Sequence, residues 1–288
     1  MASPDVYQIV TDQVLELLAQ GVVPWNQPWA TGVAPANLVS KKPYRGINPF
    51  LLACRGFSSP YWLTFNQCQK LGGRVIKGEK SSVVIFWKWL EKEDTQTGKK
   101  SRIPLLRYYR VFNVLQTEGI DERKIPVLDL CDNDPIDAAE AVVAGFVDSP
   151  PVHFGGDRAY YVPSQDVVNI PGLASFATAE HYYSTLFHEL AHSTGHKSRL
   201  DREGVTNLAF FGSYEYSKEE LVAEFGAAFL SGHCGIASAT VENSAAYIQS
   251  WSKKLKSDHK LVVQAAAQAQ KAADHILGVR FEVADEEE

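Results

Sequence analysis

The spacing of apolar positions divides the chain into helical and strand-like stretches. Over residues 5–20, DVYQIVTDQVLELLAQ, the residues Val6, Ile9, Val10, Val14, Leu17 and Leu18 recur near the helical period, and Gly21 follows as a stop. An amphipathic helix is predicted there. The next segment, VVPWNQPWATGVAP, is too rich in proline for regular structure. A short helix is predicted over 60–72, ended by Gly72 and Gly73. SVVIFWKWL (82–90) and LLRYYRVFNVLQ (105–116) are β-branched and aromatic, which predicts strands. EKEDTQTGKKSR between them reads as a solvated hairpin tip or a flexible loop. Further on, the pattern predicts a helix over 137–147 and short strands over 158–163 and 165–170. Helices are expected at about 178–194, 217–232 and 240–257, then an alanine-rich one at about 260–276 before the acidic tail DEEE.

Charge sharpens this division. Residues 41–110 carry 15 Lys and Arg against 4 Asp and Glu, whereas 131–288 carry 11 against 23. One half attracts a polyanion and the other repels it. The sign changes across DERKIPVLDLCDNDPID, a polar stretch with two prolines. We therefore expect an α+β chain of two domains, residues 1–125 and 137–288, joined by a linker at 126–136.

Composition excludes several classes. A hydrophobic share of 45% with 22% charged residues is that of a globular chain rather than a disordered one. No apolar run reaches the roughly 18 residues a membrane span needs. Asp5, Asp12 and Glu16 break up any N-terminal signal sequence. Cys54, Cys68, Cys131 and Cys234 form no C-x-x-C pair, which argues against a cysteine-ligated metal and fits reduced thiols in the cytoplasm. A cytoplasmic monomer with no membrane partner is expected.

The clearest chemistry lies in LFHELAHSTGH, residues 186–196. His188, Glu189 and His192 spell H-E-x-x-H. On a helix, the two imidazoles sit one turn apart on one face and can share a cation, with Glu189 beside them to handle water. A third ligand is needed. On an unbroken helix His196 stands roughly 12 Å along the axis from His188, too far to join it. A three-histidine site would break at Gly195 and take a histidine at 198, where Ser stands. The remaining candidates are Glu220 and Glu224 in SKEELVAEFGAAFL, four apart on one helical face. The bland alternative is a capping box of Ser217 and Glu220, which leaves Glu224 unexplained. Tyr214, Tyr216 and His233 are candidate oxyanion donors by nearness in sequence alone.

E-x-x-A-E after H-E-x-x-H resembles the glutamate-zincin arrangement. That resemblance implies Glu220 as the third metal ligand, Glu224 as the acid orienting a histidine ligand (with these two roles exchangeable), Glu189 as the catalytic residue and zinc, or another divalent ion such as manganese, as the cofactor.

In the basic half, cations alternate with aromatics: Lys41, Lys42, Tyr44, Arg45, Lys70, Arg74, Lys77, Lys80, Trp87, Lys88, Arg107 and Arg110. Cations bind phosphates and flat rings stack on unpaired bases, so these residues are candidate contacts to single-stranded DNA. Packing of Phe86, Trp87 and Trp89 in a core is the competing reading.

The stretches VVPWNQPW, YRGINPFLL, YWLTFNQCQKLGGRVIKGEK and FNVLQTEG, in that order, resemble the N-terminal domain of the ArdC antirestriction family, which includes the N-terminal region of TraC-type primases. DRAYYVPSQDVVNIP, HYYSTLFHELAHSTGHKSRL and YSKEELVAEFGAAFL resemble its metallopeptidase-like C-terminal domain. The resemblance implies an α/β domain that binds single-stranded DNA, followed by a zincin-like domain. It further implies a plasmid-type protein that protects incoming DNA from restriction during conjugation. Two alternatives stand beside it: a DNA-binding protector whose metal site is structural or vestigial, and a DNA-tethered protease acting on a protein such as a restriction-system component.

Overall fold

A computed structural model describes residues 5–26, 33–93, 100–126, 135–206, 214–236 and 245–280, with the backbone alone at 88–93, 100–105, 135, 245 and 246. Helix α1 (Val6–Ala19) begins where the Asp5 carboxylate accepts the Tyr7 backbone N–H. It ends before Gly21, whose φ of +80° suits glycine. Strand β1 (Ala36–Asn37), helix α2 (Asn48–Ala53), strand β2 (Tyr61–Thr64), helix α3 (Phe65–Lys70) and strand β3 (Arg74–Val75) follow.

The helix expected over 60–72 is thus only half helix. Thr64 and Gln67 form a reciprocal capping box, with Gln67 N–H donating to Thr64 Oγ1 at 3.2 Å and Thr64 N–H to Gln67 Oε1 at 2.8 Å. That box fixes where the helix starts. The aromatic run before it pairs with neighbouring strands instead.

Strands β4 (Ser82–Glu93) and β5 (Lys100–Asn113) make a long antiparallel hairpin, longer than the sequence pattern suggested, and its tip at 94–99 lies outside the described residues. Residues 114–116, expected as strand, form a 3-10 turn before β6 (Thr117–Glu118). The main sheet runs β1-β2-β5-β4, so β4 is an edge. Asn48 closes that edge at Ile85, donating to its carbonyl at 2.8 Å and accepting its N–H at 2.7 Å.

The second half opens with α4 (Pro135–Gly145) and a sheet of β7 (Val152–Phe154), β8 (Tyr160–Val162) and β9 (Val167–Ile170) in the order β7-β9-β8. Helices α5 (Ala179–Ser193), α6 (Glu203–Thr206), α7 (Tyr214–Cys234), α8 (Ala245–Ser257) and α9 (Leu261–Ile276) complete it. Helix α7 packs against both α5 and α9. Elements α2, β7 and α6 escaped the sequence reading because three to six residues are too few to show a period. Among the described residues, no helix is long and apolar enough to cross a membrane.

One apolar core serves both halves. Val10, Val14 and Leu18 of α1, together with Trp25 and Phe50, join the residues buried around α7 and α9. The Phe50 ring lies 4.9 Å from Phe225 and 4.7 Å from Phe229, and Trp25 lies 5.1 Å from Phe225. Helix α1 packs on α8 and α9 although it precedes the basic region. Most of the expected linker at 126–136, including Cys131, falls outside the described residues.

Candidate metal centre and nucleic-acid face

Helix α5 carries H-E-x-x-H near its C-terminal end. Thr178 caps its start by accepting the His181 N–H at 3.3 Å, and Tyr183, Leu186, Phe187, Leu190 and Ala191 bury its apolar side. That leaves His188 and His192 turned toward α7. Their Nε2 atoms approach to 3.1 Å. Glu220 of α7 reaches both, with Oε2 at 3.7 Å from His188 Nε2 and Oε1 at 3.6 Å from His192 Nε2.

These three residues can hold a metal ion: each offers one ligand atom, all within 4.8 Å of one another. With metal–ligand bonds of about 2.0–2.1 Å, donor atoms on a tetrahedron are roughly 3.3 Å apart. The observed separations bracket that edge. The donor set of two imidazoles and a carboxylate suits a divalent ion of the first transition row.

Electrostatics agree with the geometry. Burial pulls the His188 pKa down, but the carboxylates of Glu220, Glu224 and Glu189 outweigh it and lift it to about 9. Burial pushes the Glu220 carboxyl up, and the two imidazoles with the Tyr216 hydroxyl bring it down to about 2. The carboxylates of Glu220, Glu224 and Glu189 thus act together on His188, and the same field attracts a cation between the ligand atoms. Glu189 is 8% exposed and close enough to influence both His188 and Tyr216. Burial, then the Glu220 carboxylate, raises the Tyr216 hydroxyl to about 12, so it stays a donor.

The other sequence candidates take different places. The Glu224 carboxylate accepts the Tyr247 hydroxyl at 3.2 Å, and burial raises its pKa. Trp25 Nε1–H in turn donates to the Tyr247 oxygen at 3.0 Å. Helix α7 begins at Tyr214, so Ser217 lies inside it and cannot cap it with Glu220. Tyr214 is turned to Asp258, and His233 is exposed near the far end of α7. His196 contacts Ser198 Oγ at 2.8 Å and lies 3.8 Å from Asp166, away from the ligand group. Gly195 has no positive φ; it is needed for space, since a Cβ there would stand 2.5 Å from Val205.

Sequence reasoning missed Glu219 and Arg202. Glu219 Oε1 lies 3.3 Å from His192 Nδ1. Buried Arg202 grips the same carboxylate, with Nη2 to Oε1 at 2.5 Å and Nε to Oε2 at 3.0 Å. The doublet Glu219-Glu220 was the available signal: adjacent helical residues diverge by about 100°, so two acids can flank one histidine.

In the basic half, register puts Phe86 opposite Arg107 and Val84 opposite Tyr109. Phe86, Arg107 and Tyr109 therefore share one sheet face, partly exposed, with the two rings edge-to-face at 6.4 Å. Trp87 points to the other face, 6.1 Å from Tyr7 of α1. Lys42, Lys70, Lys77 and Lys80 are exposed. Arg74 pairs with Glu118 at 2.7 Å and Arg110 reaches Ser81 at 3.2 Å. Lys41 lies over Tyr61, 5.5 Å from the ring centroid. Tyr44 packs beside Trp62 and Val111, and Arg45 is turned to Asp274 of α9. The Lys88 and Trp89 side chains lie outside the described residues.

Known proteins with both halves in this order bear on the reading. Residues 4–112 match the family described as the N-terminal domain of anti-restriction factor ArdC, and residues 138–268 match the zincin-like metallopeptidase family. The chain is 36% identical over 295 residues to the DNA primase TraC of Escherichia coli, covering 94% of the chain but 27% of the primase. It thus spans about a quarter of that relative. It is 34% identical over 286 residues to the uncharacterized protein y4eC of Sinorhizobium fredii, covering 94% of the chain and 91% of that protein. The metal-free crystal structure of antirestriction ArdC from plasmid R388 superposes with a TM-score of 0.75 at 38% identity, covering 96% of the chain and 100% of ArdC. Its Mn(II)-bound form gives 0.74 at 37% identity, covering 96% and 98%. With such identity carried end to end through both halves, the chain belongs to the ArdC family of antirestriction proteins.

Proposed function

We propose that this protein protects incoming plasmid DNA from restriction during conjugation, binding single-stranded DNA through its N-terminal half and hydrolysing peptide bonds at a zinc site in its C-terminal half. The observation that carries the second activity is the convergence of His188, His192 and Glu220 at tetrahedral spacing beside Glu189. Support for the first comes from the exposed Phe86, Arg107 and Tyr109 face and from the exposed lysines of the same half. TraC and ArdC, one a primase and the other an antirestriction protein, point the same way.

His188, His192 and Glu220 would hold a divalent ion, zinc in this reading and manganese in the R388 relative. When bound, such an ion supplies a Lewis acid that brings the pKa of water toward neutrality. The chain's own groups do the rest. Glu189 takes a proton from the attacking water and delivers it to the leaving amine. Tyr216 donates its hydroxyl hydrogen to Glu220 and so fixes the ligand carboxylate. A protein of the recipient's restriction system is the proposed peptide substrate.

Glu189→Gln tests this. The variant should keep its fold and its metal while hydrolysis of a denatured protein falls by about 100-fold or more. Restriction protection measured in parallel separates the alternatives. Protection that survives the change assigns the metal site a structural role and leaves DNA binding as the whole activity; protection that disappears requires the hydrolytic step.

A further inference from the structure

We infer that Glu219, held by Arg202, is the positioning residue that prepares His192 to bind the ion; the inference rests on the metal-site reading above. A carboxylate only accepts hydrogen bonds, so the Glu219 oxygen 3.3 Å from His192 Nδ1 selects the ring form with hydrogen on Nδ1. Nε2 then carries the lone pair, and Nε2 is the atom that faces His188 and Glu220. Without this partner, a hydrogen on His192 Nε2 would be drawn to the Glu220 carboxylate, 3.6 Å away. That hydrogen would block the ligand atom.

Arg202 makes the arrangement rigid. It is 8% exposed and spends its donors in three directions. Two go to the Glu219 carboxylate, one to Thr194 Oγ1 at 2.6 Å and one to the Ala191 carbonyl at 2.8 Å. The guanidinium thus ties α7, through Glu219, to the last turn of α5, which carries His192. It also compensates the charge that Glu219 would otherwise bury alone. Glycines make room for it: a Cβ on Gly195 would lie 3.0 Å from Arg202 Nη2, and one on Gly204 would lie 3.1 Å from Glu219 Cβ. Glu224, the acid for which the glutamate-zincin resemblance implies this role, is instead held by Tyr247.

The test uses the full chain with Glu219→Ala and Glu219→Gln. Nitrogen-15 NMR of labelled histidines in the metal-free protein reports the His192 tautomer directly. Calorimetric titration with Zn(II) alone reports affinity, and a thermal melt of each variant reports folding. Wild type should show hydrogen on Nδ1. Glu219→Ala should shift it toward Nε2 and weaken zinc binding about 10- to 100-fold. Glu219→Gln keeps an acceptor oxygen and should recover part of both. An unchanged tautomer in Glu219→Ala, or zinc binding within twofold of wild type, overturns the inference. Failure of the wild-type protein to bind zinc or manganese would instead overturn the metal site itself, while the tautomer result would still stand or fall alone. If Glu219→Ala does not fold, Glu219→Gln decides: a partial shift toward Nε2 with zinc binding weakened more than twofold supports the role, and a wild-type tautomer or zinc affinity within twofold of wild type refutes it.

Discussion

A single methyl group at the crossing of α5 and α7 should disturb the metal site more than the fold. Gly226 lies in α7 less than two turns beyond Glu220, and a Cβ there would stand 2.7 Å from Ala191 Cβ. Carbon atoms pack at about 3.5–4.0 Å, so Gly226→Ala must part the helices by roughly 1 Å. Two effects on stability oppose each other. Overpacking costs about 1–3 kcal/mol, and alanine in place of glycine in a helix returns about 0.5–1 kcal/mol. The net loss is at most about 2.5 kcal/mol, which a cooperative domain survives. The ligand group is less forgiving. His188 and His192 ride on α5 and Glu220 on α7, while metal–ligand distances tolerate only about 0.2 Å. Divalent-ion affinity, measured by calorimetry, should therefore fall by an order of magnitude or more, with a melting temperature only a few degrees lower. The double variant A191G/G226A moves the methyl from one helix to the other and should restore much of the affinity. A Gly226→Ala protein that binds metal as wild type does, or a double variant no better than the single one, would refute the reasoning.

Two other outcomes are expected. Replacing Phe86 and Tyr109 with alanine should weaken binding to a single-stranded oligonucleotide by about 1–3 kcal/mol per stacked base, and Arg107→Ala should lower the slope of log affinity against log salt by about one phosphate contact; fluorescence anisotropy at several salt concentrations checks both, and an unchanged affinity removes this face from the DNA path. Burial pushes the Asp166 carboxyl up, but the Arg199 guanidinium, the Tyr161 hydroxyl and His196 outweigh it and leave it below its ordinary range. A depressed carboxylate contributes stability above its unfolded pKa, near 3.8, and loses it as pH falls through the folded value. Asp166→Asn, tolerated at φ +53°, should therefore be less stable at neutral pH and flatten the acid limb of a stability–pH curve; a parallel downward shift at every pH would contradict this.

Much of the chemistry was legible because it is local. H-E-x-x-H sits on one helix, where a spacing of four fixes two side chains on one face without help from the rest of the chain. Glu220 was nominated by its own helical spacing, although no local rule could carry it across to α5. The β4–β5 hairpin was visible in its β-branched and aromatic runs, though not its full length. Where the sequence reading failed, short elements or side-chain partners were at stake. The helix expected over 60–72 became half strand because β2 has partners on both sides, and pairing overrides local preference.

The division into two charge-sorted domains was also legible, but not their shared core. Trp25 and Phe50 meet Phe225 from more than 170 residues away, and no periodicity encodes that contact. The sequence by itself determined that His188 and His192 share one helical face and that Glu220 and Glu224 share another, since both follow from backbone periods of a few residues. The choice of Glu219 rather than Glu224 to face His192, and the burial of Arg202 beside it, were decided only in the tertiary structure. Such choices depend on the angle and distance at which two helices cross, and those are set by the packing of side chains far apart in the chain.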